Sequence, residues 1–561
     1  MTARSLRALA VCLLVVALAA CAGLPTRGPV NAGGVSAEVD READFAYLPD
    51  RPVEDATPEQ IVDGFLAAGS GPRGNWSIAR EFLAPSYRDQ WDPRAGVTIH
   101  RPGRPVPVLT GDGTVQVSVH PTGAVDHTGA YTSEVGGDVT LEFRLAQNAD
   151  GQWRIVQAPS GIVIDEGRFA TVFRNYPVMF FDPTWTYLVP DERWFPREFA
   201  ATYIAEALVG GSPSPWLTDA VVTAFTESSR VEQRAVPVRQ GVAQVSLGPA
   251  ARSLEQTVLD RMQTQLQHSL AGAGIRSVAM MVGDQTLSAT AVHERSTRID
   301  PRPLLLTAEG FGFPMGESLE VIPGLSSAIT ALEEPPVAIE VDADRTSAAV
   351  RFVDGSTALV SAEGDVVPLG GPGSTVAPSV DPFGFAWTVD ATEAAVPTVF
   401  AADGDLVELT VSLPGVTRID ALQVSRDGTR LAVVGRDGTV PTLWVAGIVR
   451  DRDGTPVRLG GERRILATLG SRGMSLTWLD AETVAVLTAG EGETHVHEQR
   501  IGGGLTVRPA PADAVLVTGS SQSGGLRVLD AAGILYLQRG GTWQNVATDV
   551  LGVAIQQGTP E

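Results

Sequence analysis

Val424-Ser425-Arg426-Asp427-Gly428-Thr429-Arg430-Leu431-Ala432 reads as the end of one strand, a tight turn and the start of another. Asp-Gly between apolar residues is a strong hairpin signal, and the stretch has the look of the inner hairpin of a propeller blade. Val380 to Trp387 is a weaker copy. A second motif repeats as well. Gly364-Asp365-Val366-Val367-Pro368-Leu369 returns as Gly404-Asp405-Leu406-Val407-Glu408-Leu409, and more loosely as Gly454-Thr455-Pro456-Val457-Arg458-Leu459, at separations of 40 and 50 residues. Four-stranded blades recur at about 40–45 residues, so 301–561 predict an all-β propeller of roughly six blades. Helical periodicity is absent there, while Gly/Asp turns recur. A pair of β-sandwiches is the alternative, and a fixed period argues against it. Contacts between domains of one chain are usually modest, so the propeller is expected to be a separable unit.

Before the propeller, residues 167–300 mix helix and strand. Phe199 to Leu208 predicts a helix closed by Gly210, Gly211 and Pro213. Ala243, Val245 and Leu247 alternate as a strand. Leu254, Val258, Met262, Leu266 and Leu270 recur every four residues, giving a long amphipathic helix. Val278 to Val282 is a final strand. Eleven of the 34 aromatic residues fall between Phe169 and Tyr203. They could form a carbohydrate-stacking platform; packing between two domains is the preferred reading.

Residues 57–166 begin with helices and continue with strands, an α+β domain. Thr57-Pro58-Glu59-Gln60 is a helix start: Thr57 caps, Pro58 takes the first helical position and Gln60 reaches back to the cap. Ile61, Val62, Phe65 and Leu66 line one face, and a second helix is expected over Ser77 to Leu83. Val115, Val117 and Val119 alternate with polar residues, as do Leu141, Phe143 and Leu145. Asp150-Gly151 turns the chain into Trp153 and Ile155. Trp76, Trp91 and Trp153 read as core rather than as a ligand pocket.

The N-terminus sets the location. Arg4 and Arg7 precede an uncharged run from Ala8 to Ala20, and Leu18-Ala19-Ala20-Cys21 closes it with a cysteine after small residues. That is a signal peptide over 1–20 ending in a bacterial lipobox. The apolar run is shorter than the roughly 20 residues a bilayer span needs. Cys21 would carry an S-diacylglycerol and an N-acyl chain such as palmitate, and two or three chains make a stable anchor. An ordinary secretory signal with a chance cysteine is the plainer alternative. Residues 21–56, with Pro25, Pro29, Gly33 and Gly34, form the lipidated cysteine and a tether.

Cys12 and Cys21 are the only cysteines, so the mature chain holds no internal disulfide and no thiolate metal site. All 42 basic residues are arginine. Removing Arg4 and Arg7 takes the net charge from −23 to about −25, which argues against nucleic-acid binding and against adhesion of the body to anionic lipid. No other segment is long and apolar enough to cross a membrane.

Phe180-Phe181, Tyr187-Leu188-Val189-Pro190-Asp191-Glu192-Arg193 and Ala205-Glu206-Ala207-Leu208-Val209-Gly210-Gly211, followed by the Gly241-to-Leu247 strand, the long helix and the last strand, resemble the GerMN module of bacterial surface proteins. A lipobox, an α+β domain, a GerMN-like domain and a C-terminal propeller, in that order, resemble the LpqB lipoproteins of actinobacteria. The resemblance implies a multidomain protein lipid-anchored on the extracytoplasmic face of the cell membrane. It also implies association with the MtrA–MtrB two-component system, the extracellular domain of the sensor histidine kinase being the partner.

Catalytic signatures are missing. The chain has no G-x-S-x-G elbow, Walker A loop, H-E-x-x-H or strand-coupled G-x-G-x-x-G. His495 and His497 alternate on one strand but lack a third ligand, so both are expected to be exposed strand residues rather than metal ligands. Asp451, Asp453 and Glu462 mimic a calcium loop, except that Pro456 stands where glycine is required, so a hairpin turn is expected. Acid pairs such as Glu333-Glu334 carry no glycosidase signal in a chain with 65 carboxylates. The expectation is a non-enzymatic accessory of a sensor kinase, with no cofactor, no metal and no catalytic residue. The alternative is a lipoprotein that binds or processes cell-wall glycan.

Overall fold

Among the described residues, alternating apolar side chains build nine sheets, and the way these abut fixes where any site can lie. The computed structural model describes residues 49–561, apart from 134–135, 227–230, 233–234, 317, 375, 391–392, 394, 491 and 521–524. Leu18, Ala19, Ala20 and Cys21 lie outside the described residues. Among the described residues no helix is long and apolar enough to cross a membrane.

The first module opens with helix Pro58–Ala68, held by reciprocal bonds between Thr57 and Gln60 at 3.4 and 2.9 Å. The next helix spans Arg73–Glu81, displaced from the expected Ser77–Leu83. Gly74, Asn75 and Trp76 have positive φ at its start. This left-handed entry turns Trp76 into the core, where its indole N–H donates to Gly69 O at 2.8 Å. Two four-stranded sheets follow. Gly96–His100 pairs antiparallel with Pro121–Asp126 and parallel with Ile162–Asp165. Thr114–Val119 lies between Val108–Gly111 and Val139–Gln147, and buries Val115, Val117 and Val119. Phe65 packs edge-on against Trp91 and Phe143. Trp76 and Trp91 are buried and Trp153 packs on the same core, which agrees with the core reading.

In the second module, Phe173–Phe181 and Leu188–Pro196 form a nine-residue antiparallel ribbon. Helix Ala200–Gly210 follows, and helix Gln256–Ala271 crosses between the parallel strands Val242–Ser246 and Ser277–Val282. Leu259, Met262, Leu266 and Leu270 face the core. Leu254 precedes the helix rather than starting it.

The C-terminal region is a six-bladed propeller. Blade I is Leu304–Thr307, Gly310–Met315 and Ser318–Val321, completed on its inner side by Val550–Gln556 from the far end of the sequence. Blade II spans Ala338–Gly370, blade III Ser379–Val407, blade IV Val416–Thr468, blade V Arg472–Pro509 and blade VI Ala514–Ala547. A one-and-a-half-turn helix, Leu325–Thr330, interrupts the all-strand expectation between blades I and II. Six residues are too few to show a helical period.

The first-to-second turns of four blades share one device. Asp342, Asp381, Asp427 and Asp480 each accept backbone N–H bonds from residues two to five positions on, through one carboxylate oxygen. Across the ring, Glu340 is fully buried. It accepts bonds from Ser379 Oγ at 2.6 Å, Val380 N at 3.1 Å and Gln423 Nε2 at 3.2 Å, and from Gln557. Burial pushes its carboxyl up to about 7 because no cation pairs with it.

The separable propeller is not what the structure holds. Trp216, Leu217 and Val221 of the second module share a hydrophobic core with Leu443, Val445 and Trp478 of blades IV and V. The described residues from 49 to 561 belong to one compact unit. A continuous apolar core makes detachment costly, at about 25 cal/mol per Å² exposed.

Candidate functional site

Three consecutive charges, Asp191-Glu192-Arg193, sit in the middle of the second strand of the ribbon, and all three are buried. A buried charge must be paired or hydrogen-bonded, because desolvation otherwise costs several kcal/mol. Each of these charges finds partners in another segment, and together they join three modules.

Asp191 holds the second module to itself. It accepts from Arg193 Nη2 at 2.6 Å, Ser214 N at 2.8 Å and Ser214 Oγ at 2.7 Å. Arg193 also donates to Thr128 O of the first module at 2.9 Å and to Ser212 O at 3.1 Å. Glu192 points to the propeller, where the Arg500–Gly504 turn of blade V meets it. Its oxygens accept from Gly502 N at 2.8 Å, Arg500 Nε at 2.9 Å and Asn175 Nδ2 at 2.9 Å. Gly502 O in turn accepts from Trp194 Nε1 at 2.6 Å. A side chain at 502 would meet Glu192 at 2.5 Å, so glycine is required for this approach. Burial raises the Glu192 carboxyl well above its ordinary range; nearby Glu482 adds to this and Arg500 opposes it. Arg464 of blade IV donates to Tyr131 O of the first module, and burial lowers its pKa. Tyr187 meets Phe383 edge-on at 5.9 Å, and Arg295 pairs with Asp344.

The ring-rich stretch therefore packs between domains, as the preferred reading expects. Phe169 lies against Phe173 at 5.1 Å and Trp194 at 4.8 Å. Beside this junction a cleft of about 860 Å³ opens between the first and second modules. Its walls include Trp194, Tyr203, Arg94, Glu206 and His127. Arg94 pairs with Glu206 at 2.6 Å and lies over the Tyr203 ring at 4.6 Å, while Arg73 pairs with Glu198 at 3.0 Å nearby. Aromatic walls with polar groups between them suit a small amphipathic ligand.

Residues 51–170 match the family model "Lipoprotein LpqB, N-terminal domain" and 314–552 match "Lipoprotein LpqB beta-propeller domain". Between them, 177–288 match "Sporulation and spore germination", the module that contains the buried triplet. The chain belongs to the LpqB lipoprotein family. "Lipoprotein LpqB" of Cutibacterium acnes is 30% identical over 301 residues, covering 53% of this chain and 50% of that protein, so the chain spans half the length of this relative. "Lipoprotein LpqB" of Rhodococcus opacus is 25% identical over 85% of this chain and 84% of the relative. That of Bifidobacterium longum is 24% identical over 98% of both. These relatives are named lipoproteins, the class to which a lipobox at Leu18–Cys21 would assign this family member.

The remaining sequence-derived candidates resolve individually. His497 is buried rather than exposed: its Nε2 lies 3.0 Å from Thr488 Oγ1, and burial lowers its pKa. His495 is partly exposed beside Glu493 at 3.9 Å. Among the described residues no three His, Cys, Asp or Glu side chains gather as metal ligands. Asp451 builds the expected hairpin turn, its carboxylate accepting from Asp453 N and Thr455 N. Sequence reasoning missed the role of Asp191, Glu192 and Arg193. Three charges in a row inside an aromatic, apolar stretch are the signal that could have found them.

Proposed function

We propose that this protein is a cell-surface lipoprotein, anchored through Cys21, that acts as a non-enzymatic accessory of a two-component sensor kinase, resembling the partner of the MtrA–MtrB system. The observation that carries the reading is the fusion of three modules into one body through the buried Asp191-Glu192-Arg193 triplet. A rigid assembly of this kind transmits contact and presents broad surfaces.

Two measurements test it. Crosslinking in intact cells followed by capture should recover a sensor histidine kinase, and the anchor-free body should bind that kinase's isolated extracellular domain. Failure of both would overturn the reading. For the anchor, Cys21→Ser should abolish fatty-acid labelling and membrane fractionation while leaving the body folded; a labelled mutant would refute it.

The cleft beside the junction favours one second reading, a glycan-binding lipoprotein. Tyr203 and Trp194 would stack on sugar rings while Arg94 and Glu206 engage hydroxyls. Retention of the body on peptidoglycan, lost on Tyr203→Ala, would support this reading against the kinase role.

A further inference from the structure

Tyr203 and Glu206 stand three residues apart on helix Ala200–Gly210, in the wall of the cleft between the first and second modules. Phe195 stacks against the Tyr203 ring, with centroids 5.7 Å apart and planes at 14°. The guanidinium of Arg94, which reaches across from the first module, lies over the same ring at 4.6 Å. Its Nη2 meets Glu206 Oε2 at 2.6 Å. An aromatic face beside a carboxylate is a receptor for a cation, and the protein fills this one with a side chain of its own.

Arg94 is an exchangeable occupant rather than a strut. Its side chain is 48% exposed, and an ion pair so open to solvent contributes little to stability. The two modules are joined without it: Trp194 N donates to Gly129 O at 2.7 Å and Arg193 Nη1 donates to Thr128 O at 2.9 Å. The Arg94 main chain is fixed within its own loop, where its N–H donates to Asp92 Oδ1 at 2.9 Å. The guanidinium can therefore swing away while the backbone stays in place.

What the site holds identifies what it selects. Val97, Val125 and Pro196 give the cleft apolar walls beside the charged pair. Phe199, one turn before Tyr203, is 56% exposed and has φ 65°, a conformation that bulky residues seldom adopt. A chain of net charge −23 attracts cationic partners. An arginine flanked by small apolar residues meets the ring, the carboxylate and the walls together. A neutral sugar brings no charge with which to displace Arg94 from Glu206.

We propose that Tyr203 and Glu206 form a binding site for an arginine side chain of a basic peptide segment, with Arg94 as the internal competitor that such a segment displaces. The site does not depend on the kinase reading, and it gives the cleft to a cation in place of a glycan.

The test follows a labelled, capped Ala-Arg-Ala peptide binding to the full mature protein by fluorescence anisotropy. The same peptide with citrulline, which keeps the shape of arginine without its charge, is measured alongside. Removing the competitor should help: Arg94→Ala is expected to bind the arginine peptide roughly fivefold more tightly than the parent. Adding Glu206→Gln to that variant should cancel the gain and weaken binding by about tenfold. Glu333→Gln removes one charge from an exposed acid of the propeller and should bind as the parent does. If Arg94→Ala does not fold, Arg94→Gln, which keeps most of the side chain, takes its place. Binding by the Arg94 variant no tighter than by the parent overturns the proposal. So does equal binding of the arginine and citrulline peptides, or a loss at Glu333→Gln as large as that at Glu206→Gln. A peptidoglycan disaccharide that binds the Arg94 variant when the arginine peptide does not would assign the cleft to glycan and overturn it as well.

Discussion

The two faces of the propeller treat charge in opposite ways. Where the second module sits, several buried charges meet a counterpart. Arg450 and Asp381 meet at 2.5 Å with no exposure on either side, Arg430 pairs with Asp427, and Glu192 crosses from the other module to Arg500. On the uncovered face, three arginines share one aspartate and stay half-exposed. The first setting is largely buried, so removing one partner of such a pair would cost several kcal/mol. In the second setting the arginines are half-exposed and solvent screens their charges. The contrast separates charges that hold modules together from charges that stay in contact with solvent.

The sharpest way to break the covered side is Arg450→Met. It leaves Asp381 buried without its cation, and a loss of about 3–5 kcal/mol in chemical denaturation is expected. Next comes pH. Glu340 has an ordinary value of 4.5 and a folded value of about 7. The folded chain therefore holds a proton that the unfolded chain releases, and stability falls as pH rises from 4.5 to 7. Across that window the change attributable to Glu340 should reach about 3 kcal/mol, and Glu340→Gln should flatten it. A parent and a variant with parallel stability–pH curves would remove Glu340 as the cause. Gly502→Ala forces its Cβ onto Glu192 and should cost about 1–3 kcal/mol. It should read out as faster proteolysis between the second module and blade V. The smallest effect belongs to the open side: Val353→Ser, at a site 76% exposed, should shift stability by less than about 0.5 kcal/mol. A large loss there would mean that this face is not open.

The propeller was legible because turns repeat even where strands do not. Gly364, Gly404 and Gly454 all precede the outermost strand of a blade, at Val366–Gly370, Leu406–Val407 and Pro456–Thr468. The Asp427 turn was visible through its Asp-Gly signal, whereas Asp342 and Asp480 were not. Their turns run Asp-Ala-Asp-Arg and Asp-Ala-Glu, and only the shared carboxylate bond unites them. The ribbon Phe173–Phe181 with Leu188–Pro196 was read only as a dense run of rings. Both of its faces are covered, so the alternation that marks a half-buried strand is missing. Its buried triplet shared that fate: the residues were visible as part of a family pattern, while their roles depend on Gly502 and Thr128, which lie far away in sequence. Trp76 was placed correctly in the core, but no propensity announces the three left-handed residues that put it there.

The strand Val550–Gln556 pairs with Leu304–Thr307 and also touches Glu340 and Val341. Blade I thus waits for a partner that arrives some 250 residues later in synthesis, a long loop to close before any contact rewards it. Until then the edge of Leu304–Thr307 stands bare, a template for pairing with another chain. The ring is accordingly the last part to set. A chain cut before residue 550 should aggregate rather than merely lose a blade.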